Sequence, residues 1–349
     1  MKSIKIPVGI LGATGSVGQK FIELLAAHPV FSIKELAASG RSAGKVYGDT
    51  VNWILDGFIP EELSKLKIKE CAEQFESRVL FSALDSSVAG QIESELADRG
   101  HIIISNAKNH RWSENVPLIV PEINPGHLEL IKKQKFNNGG CIITNPNCST
   151  IGLVLALKPL QDKFGLDAVN VVTMQALSGA GYPGVPSLDI LDNVIPYIEG
   201  EEEKLESEPK KIFGSLVSRS VSYSDIKISA QCNRVHVKDG HLATVQVKLK
   251  RKAEAEDLIS VWKNFTAEPQ TLGLHSAPVK PVHYLENVKY PQPRLHRDVD
   301  KGMAVTIGRL RECSLFDYKF AILSHNTVRG AAGGTILIAE LLHAKGYIM

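Results

Sequence analysis

The stretch IKIPVGILGATGSVGQKFIELLAA, residues 4–27, decides the fold of this chain. Its first part, residues 4–11, is an apolar and β-branched run of the kind that forms a buried strand. The apolar residues within 16–27 recur at helical spacing, so a helix follows the strand at once. Between the two, Gly12 permits a tight turn and Gly15 lets the backbone approach a pyrophosphate. The stretch therefore predicts the first strand, turn and helix of a dinucleotide-binding domain.

Strands and helices alternate through the rest of the first 147 residues. Helices are predicted over 87–99 and 128–135, and strands over 33–38, 79–84, 102–105 and 141–144. Such alternation favours a parallel sheet with right-handed crossovers, and the predicted fold class is α/β.

The pattern changes after residue 147. A helix is predicted over 151–160, and strands over 169–177, 226–230 and 243–249. The polar alternation of the last two strands indicates an antiparallel sheet that is open on one face. A strand at 320–323 and a helix at 331–344 are interpreted as a return to the first domain. The predicted domains are 1–147 with 320–349, and 148–319.

Composition excludes several classes of function. The formal net charge is +2, so no global basic surface favours nucleic acid or an anionic membrane. The acidic residues 199–203 are interpreted as a solvated helix face. Five cysteines without metal-ligand spacing indicate reduced thiols, and no metal site is predicted. With no signal-peptide pattern and no run of about 20 apolar residues, the expected location is cytoplasmic.

The end of the second strand distinguishes the two nicotinamide cofactors. A carboxylate there binds the ribose 2′-hydroxyl of NAD, but this strand runs into AASGRSAGK. Ser39, Arg41 and Ser42, with Lys45 nearby, can hold a 2′-phosphate through charge-assisted hydrogen bonds. The sequence therefore favours NADP, and a solvated basic loop without a ligand is the alternative.

One cysteine has a setting suited to chemistry. In TNPNCSTIGLVLALKPL, Cys148 stands between a strand and an apolar helix, with Ser149 and Thr150 as the expected caps. A helix N-terminus stabilises a thiolate, which makes the thiol a usable nucleophile. A nearby imidazole would assist it, and His241, in the turn CNRVHVKDGH, is a candidate among 11 histidines. From these residues alone, a buried structural cysteine remains an equal alternative.

The motifs GATGSVGQ, NPNCST, QALSGAGYPGVPS, CNRVHVKDGH and HNTVRGAAGG, in this order, resemble those of aspartate-semialdehyde dehydrogenases. The resemblance covers essentially the whole chain and is nearest to the fungal and archaeal branch. It implies a Rossmann NADP-binding domain and an α+β catalytic and dimerisation domain, arranged as in glyceraldehyde-phosphate dehydrogenase. It also implies NADPH-dependent reductive dephosphorylation of L-aspartyl 4-phosphate to L-aspartate 4-semialdehyde, a step in lysine, threonine and methionine biosynthesis. The implied assembly is a homodimer or homotetramer.

The resemblance also implies a role for each site residue. Cys148 would form the acyl thioester, His241 would be the general acid/base, and Gln175 would orient the substrate. The implied substrate-binding residues are Arg234 for the carboxylate, Glu208 for the ammonium group, and Lys211, Arg111 and Asn109 for the phosphate. The implied cofactor-binding residues are Gly12, Thr14, Gly15, Ser16, Val17, Ser39, Arg41, Ser42, Ser82, Ser178, Gly179, Gly181 and Asn326.

Three other interpretations stay open. N-acetyl-glutamyl-phosphate reductases share the glycine turn and the cysteine, but usually have Gly where this chain has Asn147. Malonyl-CoA reductases typically lack the Asn-Pro-Asn-Cys pattern. A protein that senses NADP without catalysis fits the cofactor residues, but does not explain Cys148 together with His241. His236 stands where the family usually has Pro, which leaves open which histidine acts.

Overall fold

The structure is a computed structural model that describes residues 5–218 and 220–348. Residue 4, predicted as the first residue of the first strand, lies outside this part of the chain. The chain divides into two compact units, each described by itself below. The first contains Met1–Ile119, Gly126–Asn145 and Ala332–Met349, and the second contains Val120–Pro125 and Pro146–Ala331.

A six-stranded parallel sheet forms the centre of the first unit. Its strands are β1 (Ile6–Leu11), β2 (Phe31–Ala38), β3 (Ile68–Glu70), β4 (Val79–Ser82), β5 (Ile102–Ser105) and β6 (Cys141–Thr144). Their order is β3-β2-β1-β4-β5-β6, which is the order of a Rossmann fold. The α-helices described before residue 146 are α1 (Ser16–Leu25), α2 (Tyr47–Thr50), α3 (Glu61–Ser64) and α4 (Ser86–Asp98). The helix predicted at 128–135 is a 3₁₀-helix at Pro125–Lys133.

The glycine turn lies at the switch point of this sheet. Strand β1 pairs with β2 on one side and with β4 on the other, so the strand order reverses at its carboxyl end. Ligands of open α/β sheets bind at such a point. The strand β3 and the short helices α2 and α3 were not predicted from the sequence, because each is only three or four residues long.

A second six-stranded sheet forms the centre of the second unit. The strands of this unit are β7 (Leu166–Gln175), β8 (Ser215–Val217), β9 (Ser220–Ser222), β10 (Lys227–Arg234), β11 (His241–Leu249), β12 (Val282–Leu285), β13 (Val305–Glu312) and β14 (Tyr318–Ser324). The sheet order is β10-β7-β11-β14-β13-β12, and β8 pairs with β9. The sheet is mixed and not antiparallel as predicted, because β10 runs parallel to β7 and β12 runs parallel to β13.

The α-helices of the second unit are numbered in the same chain order. They are α5 (Cys148–Phe164), α6 (Ser187–Ile190), α7 (Glu201–Ile212), α8 (Ala255–Lys263), α9 (Glu268–Thr271) and α10 (Pro293–His296). Helix α5 is apolar and buried over most of its length. The indole Nε1 of Trp262, on α8, donates to the carbonyl oxygen of Ala156 at 2.8 Å and ties α8 to it.

The chain returns to the first unit later than the sequence analysis placed it. The strand predicted at 320–323 is part of β14, which pairs with β11 and β13 in the second sheet. Only α11 (Gly333–Ala344) belongs to the first unit, where Glu340 Oε1 meets Nε2 of the buried His28 at 2.7 Å. The predicted boundary at residue 320 was therefore wrong, because strand pairing assigns these residues to the second sheet. In the part of the chain that the structure describes, no helix has the length and apolarity to cross a membrane.

Candidate active site

Cys148 is the first residue of α5, and the residue before it caps this helix. Asn147 has extended backbone angles, and its Oδ1 accepts the N–H groups of Ser149 at 3.0 Å and Thr150 at 3.2 Å. The expectation that Ser149 and Thr150 are the caps was wrong, because an N-cap stands outside the first turn. Cys148 is half-buried at the positive end of the helix dipole, which favours its thiolate.

A glycine from a distant part of the chain packs against the cysteine. A Cβ added to Gly330 would lie 2.6 Å from the Cβ of Cys148, so no larger residue fits at position 330. The neighbouring Arg329 forms a two-pronged ion pair with Glu122, and both side chains are buried. This ion pair therefore helps to fix the backbone that borders the cysteine.

Three predicted site residues meet at one edge of the second sheet. In the register of β7 and β10, Gln175 pairs with Arg234, and His241 opens β11 on the other side of β7. All three side chains are buried. The Ala176 N–H donates to His241 Nδ1 at 3.1 Å, and Nη1 of Arg234 donates to the Ala176 carbonyl oxygen at 2.7 Å. Arg234 also interacts electrostatically with Cys148. The structure thus brings these residues together.

His241 is a neutral hydrogen-bond donor at neutral pH. Burial, and then the charge of Arg234, lower the pKa of His241 to about 3. Because Nδ1 accepts the Ala176 N–H, the ring proton resides on Nε2. Among the described residues, Nε2 has no hydrogen-bond partner, although it is buried. His236, by contrast, is exposed, so the geometry favours His241 as the histidine of this site.

The turn Leu177–Ala180 covers the same edge. A Cβ at Gly179 would lie 2.8 Å from Nη1 of Arg234 and 3.1 Å from Nε2 of His241, so this position requires glycine. The amide of Asn326 donates to Ser178 Oγ at 2.8 Å and accepts the Gly240 N–H at 2.9 Å. Asn326 therefore joins this turn to the turn before His241. Gly181 follows with a φ of 74°.

Helix α7 carries two inward-facing carboxylates, and the interpretation of residues 199–203 as a solvated face was wrong at Glu201, while Glu199 and Glu203 are exposed. Glu201 and Glu208 are buried on α7, 7% and 1% exposed. Glu201 accepts Asn147 Nδ2 at 2.9 Å and Gln175 Nε2 at 3.2 Å, while Glu208 accepts the Asn147 N–H at 2.8 Å. The spacing of Glu201, Leu205, Glu208 and Ile212 places all four on one helix face, and this spacing is the sequence signal for the two buried carboxylates.

The predicted phosphate-binding residues lie in both units. Lys211 is on α7 of the second unit, and burial lowers its pKa to about 8. In the first unit, Nδ2 of Asn109 donates to the Ser86 carbonyl oxygen at 2.9 Å, and Nη2 of Arg111 donates to that of Asn106 at 2.8 Å. Their shared role remains a prediction.

The glycine turn of the first unit has the geometry of an anion cradle. Gly12 has a φ of 76°, and a Cβ there would lie 2.6 Å from the Ala83 carbonyl oxygen. Gly15 precedes α1 and has no side chain to cap it, so the first N–H groups of the helix can receive a phosphate. The predicted residues Thr14, Ser16 and Val17 all lie in this turn or in the first turn of α1.

The loop after β2 carries the residues predicted to bind the 2′-phosphate. Ser39 and Arg41 are exposed there and Ser42 is half-buried, as a ligand-binding loop requires. A carboxylate from β3 also reaches the loop, since Glu70 Oε1 lies 3.4 Å from the position of a Cβ on Gly40. Ser82, which was also predicted to bind the cofactor, is buried at the end of β4, and its hydroxyl donates to Glu93 Oε1 at 2.6 Å. Its role remains a prediction.

The described residues contain no group of three or more His, Cys, Asp or Glu side chains placed to hold a metal ion.

Comparison with known families gives one consistent result. Residues 7–131 match the model of the semialdehyde dehydrogenase NAD binding domain, and residues 157–329 match that of the semialdehyde dehydrogenase dimerisation domain. The aspartate-semialdehyde dehydrogenase of Saccharomyces cerevisiae is 48% identical, over 97% of this chain and 98% of its own. That of Archaeoglobus fulgidus is also 48% identical, with the same two coverages.

A solved structure agrees with these relatives. The crystal structure of aspartate-semialdehyde dehydrogenase with NADP from Candida albicans matches with a TM-score of 0.91 and 44% identity, over 99% of this chain and 100% of the other. Aspartate-semialdehyde dehydrogenase II from Vibrio cholerae matches with a TM-score of 0.77 and 27% identity, over the same shares of the two chains.

Proposed function

The chain belongs to the aspartate-semialdehyde dehydrogenase family, and from this premise we propose how its own side chains carry out the reaction. The reaction is the NADPH-dependent reductive dephosphorylation of L-aspartyl 4-phosphate to L-aspartate 4-semialdehyde. One observation carries the assignment of roles: Cys148 opens α5 and interacts with Arg234, which shares a sheet edge with Gln175 and His241. An NADP sensor without catalysis has no use for such a cluster.

Cys148 is the nucleophile of the first step. Its thiolate attacks the acyl carbon of the substrate, a C–S bond forms, and the C–O bond to the phosphate breaks. The phosphate departs with the bonding electron pair and takes up a proton from solvent. The helix dipole of α5 and the positive charge of Arg234 both favour the thiolate over the thiol.

His241 acts on the acyl oxygen. Since Asn147 already occupies the N–H groups of Ser149 and Thr150, the buried Nε2–H of His241 is the donor for the negative charge that develops on this oxygen. NADPH, when bound, supplies the hydride that reduces the thioester carbon. The oxygen then forms the aldehyde carbonyl, the C–S bond breaks, and Cys148 leaves as a thiolate.

Charged side chains account for the recognition of the substrate. Arg234 binds the substrate carboxylate through the edge of its guanidinium that does not donate to the Ala176 carbonyl oxygen. Glu208, on the inner face of α7, binds the ammonium group of the substrate. Lys211, one helical turn further along α7, binds the phosphate. At neutral pH Lys211 is still mostly protonated, because its pKa of about 8 lies above 7. For Arg111 and Asn109, which lie in the first unit, a role in binding phosphate is proposed on the family resemblance alone.

The reverse reaction tests this function directly. The purified protein is expected to form NADPH from NADP when given L-aspartate 4-semialdehyde and inorganic phosphate, and phosphate is required because it must cleave the thioester. The assay follows NADPH absorbance with and without phosphate. Activity that requires coenzyme A instead would contradict the assignment and favour a malonyl-CoA reductase. Turnover only of N-acetyl-glutamate 5-semialdehyde would favour the other acyl-phosphate reductase.

Arg41 is expected to select NADP over NAD. Replacement by alanine removes charge-assisted hydrogen bonds to the 2′-phosphate, so the KM for NADP should rise about 10- to 100-fold. The KM for NAD should not rise, since NAD lacks this phosphate. Steady-state kinetics with both cofactors measure the effect, and Lys65→Ala, an exposed lysine on α3, is the matched control. Equal losses with NADP and NAD would show that Arg41 does not read the 2′-phosphate.

The second unit is the proposed place of self-association. It contains the region that matches a dimerisation domain, and exposed apolar side chains cluster within residues 182–197. We propose a homodimer or homotetramer built through this unit. The cytoplasmic location remains a prediction from the sequence.

A further inference from the structure

Glu201 joins three parts of the second unit through one carboxylate. Its oxygens accept Asn147 Nδ2 at 2.9 and 3.0 Å, Gln175 Nε2 at 3.2 Å, and Lys204 Nζ at 2.7 Å. Asn147 leads into α5, Gln175 ends β7, and Lys204 is on α7 with Glu201 itself. One buried group therefore fixes the positions of two side chains on either side of the reaction centre.

The contact with Asn147 bears directly on Cys148. The amide nitrogen of Asn147 is held by Glu201, and this leaves its Oδ1 oriented toward the N–H groups of Ser149 and Thr150. The same carboxylate orients the amide of Gln175 by accepting from its nitrogen, which sets the direction of its oxygen. Loss of Glu201 would free both amides to rotate, and with them the first turn of α5.

The charge of Glu201 also acts on the site. Lys204 is the ion-pair partner of Glu201 on α7. Glu208 lies two turns further along the same helix and accepts the backbone N–H of Asn147. From the sheet, Arg234 and Cys232 on β10 and His241 on β11 lie within electrostatic range of Glu201. Burial raises the pKa of Glu201, but Lys204, Asn147 and Gln175 together lower it below its usual value. The carboxylate is therefore ionised at neutral pH.

We propose that Glu201 is a positioning residue, which holds Asn147 and Gln175 in their working orientations and offsets the charge of Arg234 beside Cys148. It contacts the groups that contact the reacting atoms, and not the substrate. The inference rests on the proposed function for the meaning of these orientations. The carboxylate geometry and its charge have separable consequences, and two substitutions distinguish them.

Glu201→Gln keeps the size of the side chain but removes its charge and places a donor against two other donors. We expect kcat to fall roughly 100-fold with little change in KM, as for a misplaced reacting group. The loss of an anion near Cys148 leaves Arg234 unopposed, so the pH profile of Cys148 alkylation by iodoacetamide should move to lower pH by about one unit. The protein would thus be a worse enzyme with a more readily ionised thiol.

Glu201→Asp keeps the charge and withdraws it by one methylene. We expect kcat to fall here as well, while the midpoint of the alkylation profile stays at the wild-type value. Glu203→Gln, an exposed neighbour on the same helix, is the control and should change neither quantity. Alkylation of the Cys148 peptide is followed by mass spectrometry, and folding by thermal unfolding.

Three results would overturn the proposal. One is an unchanged alkylation midpoint in Glu201→Gln, which would show that the charge of Glu201 does not offset that of Arg234 beside Cys148. The second is a wild-type kcat in Glu201→Asp, a variant that remains informative if Glu201→Gln does not fold. The third is an equal shift in Glu203→Gln. Alkylation uses no substrate, so a failure of the proposed function, seen as wild-type protein inactive with aspartate semialdehyde, is distinguishable from a failure of this inference.

Discussion

Cys148→Ser is expected to abolish NADPH formation from aspartate semialdehyde, with a fall in kcat of at least about 10⁴-fold. The serine hydroxyl occupies the same position at the start of α5, but its far higher pKa leaves it un-ionised where the thiol forms a thiolate. No thioester can then form. The initial rate with saturating phosphate measures the loss, and mass spectrometry of wild type with acyl donor and no NADPH should show the acyl group on the Cys148 peptide.

The control for this experiment is Cys313→Ser. Backbone N–H groups of Leu315 and Phe316 lower the pKa of Cys313, so this half-buried thiol is the other one expected to react with iodoacetamide. It directly follows β13, and its replacement should leave kcat at the wild-type value. Retained activity in Cys148→Ser, or acylation at another cysteine, would contradict the assignment of the nucleophile.

Arg329→Met is expected to destabilise the protein by about 3–5 kcal/mol, because it leaves the carboxylate of Glu122 buried without its partner. The same change frees the backbone at Gly330, which packs against Cys148, so the remaining folded enzyme should also lose activity. Urea unfolding measures the stability, and the initial rate at a temperature well below unfolding measures the activity.

The double variant Glu122→Met with Arg329→Met separates charge from packing. Removal of both charges should restore much of the lost stability, since no uncompensated charge remains in the interior. Lys65→Met breaks an exposed ion pair with Glu61 and should leave the urea midpoint unchanged. If the double variant is as unstable as Arg329→Met, packing of the guanidinium, and not the isolated carboxylate, would explain the loss.

Local patterns in the sequence were sufficient for the central strands and the glycine turn of the first unit. A strand, a glycine turn and a helix follow one another within residues 4–27, and their geometry depends on neighbours in the chain. The absence of a carboxylate at the end of β2 and the presence of Arg41 indicated NADP for the same reason. The NADP-bound structure of the Candida albicans relative agrees with this cofactor. Cys148 at the start of a helix was also visible from its own short segment.

The mixed sheet of the second unit was not accessible in this way. The alternation of polar and apolar residues in 226–230 does not predict that β10 pairs in parallel with β7. The direction of pairing depends on the crossover that connects the two strands. The boundary near residue 320 failed for a related reason: a strand sequence does not reveal which sheet it joins.

The sequence by itself determined the dinucleotide turn, the cofactor loop and the cysteine at a helix start, since each is a feature of contiguous residues. Only the tertiary structure decided what surrounds that cysteine. Strand register placed Gln175 beside Arg234 and brought His241 to the same edge, and one buried face of α7 brought Glu201 to Asn147. These contacts join residues that are tens of positions apart, and they follow from the pairing and burial of whole elements.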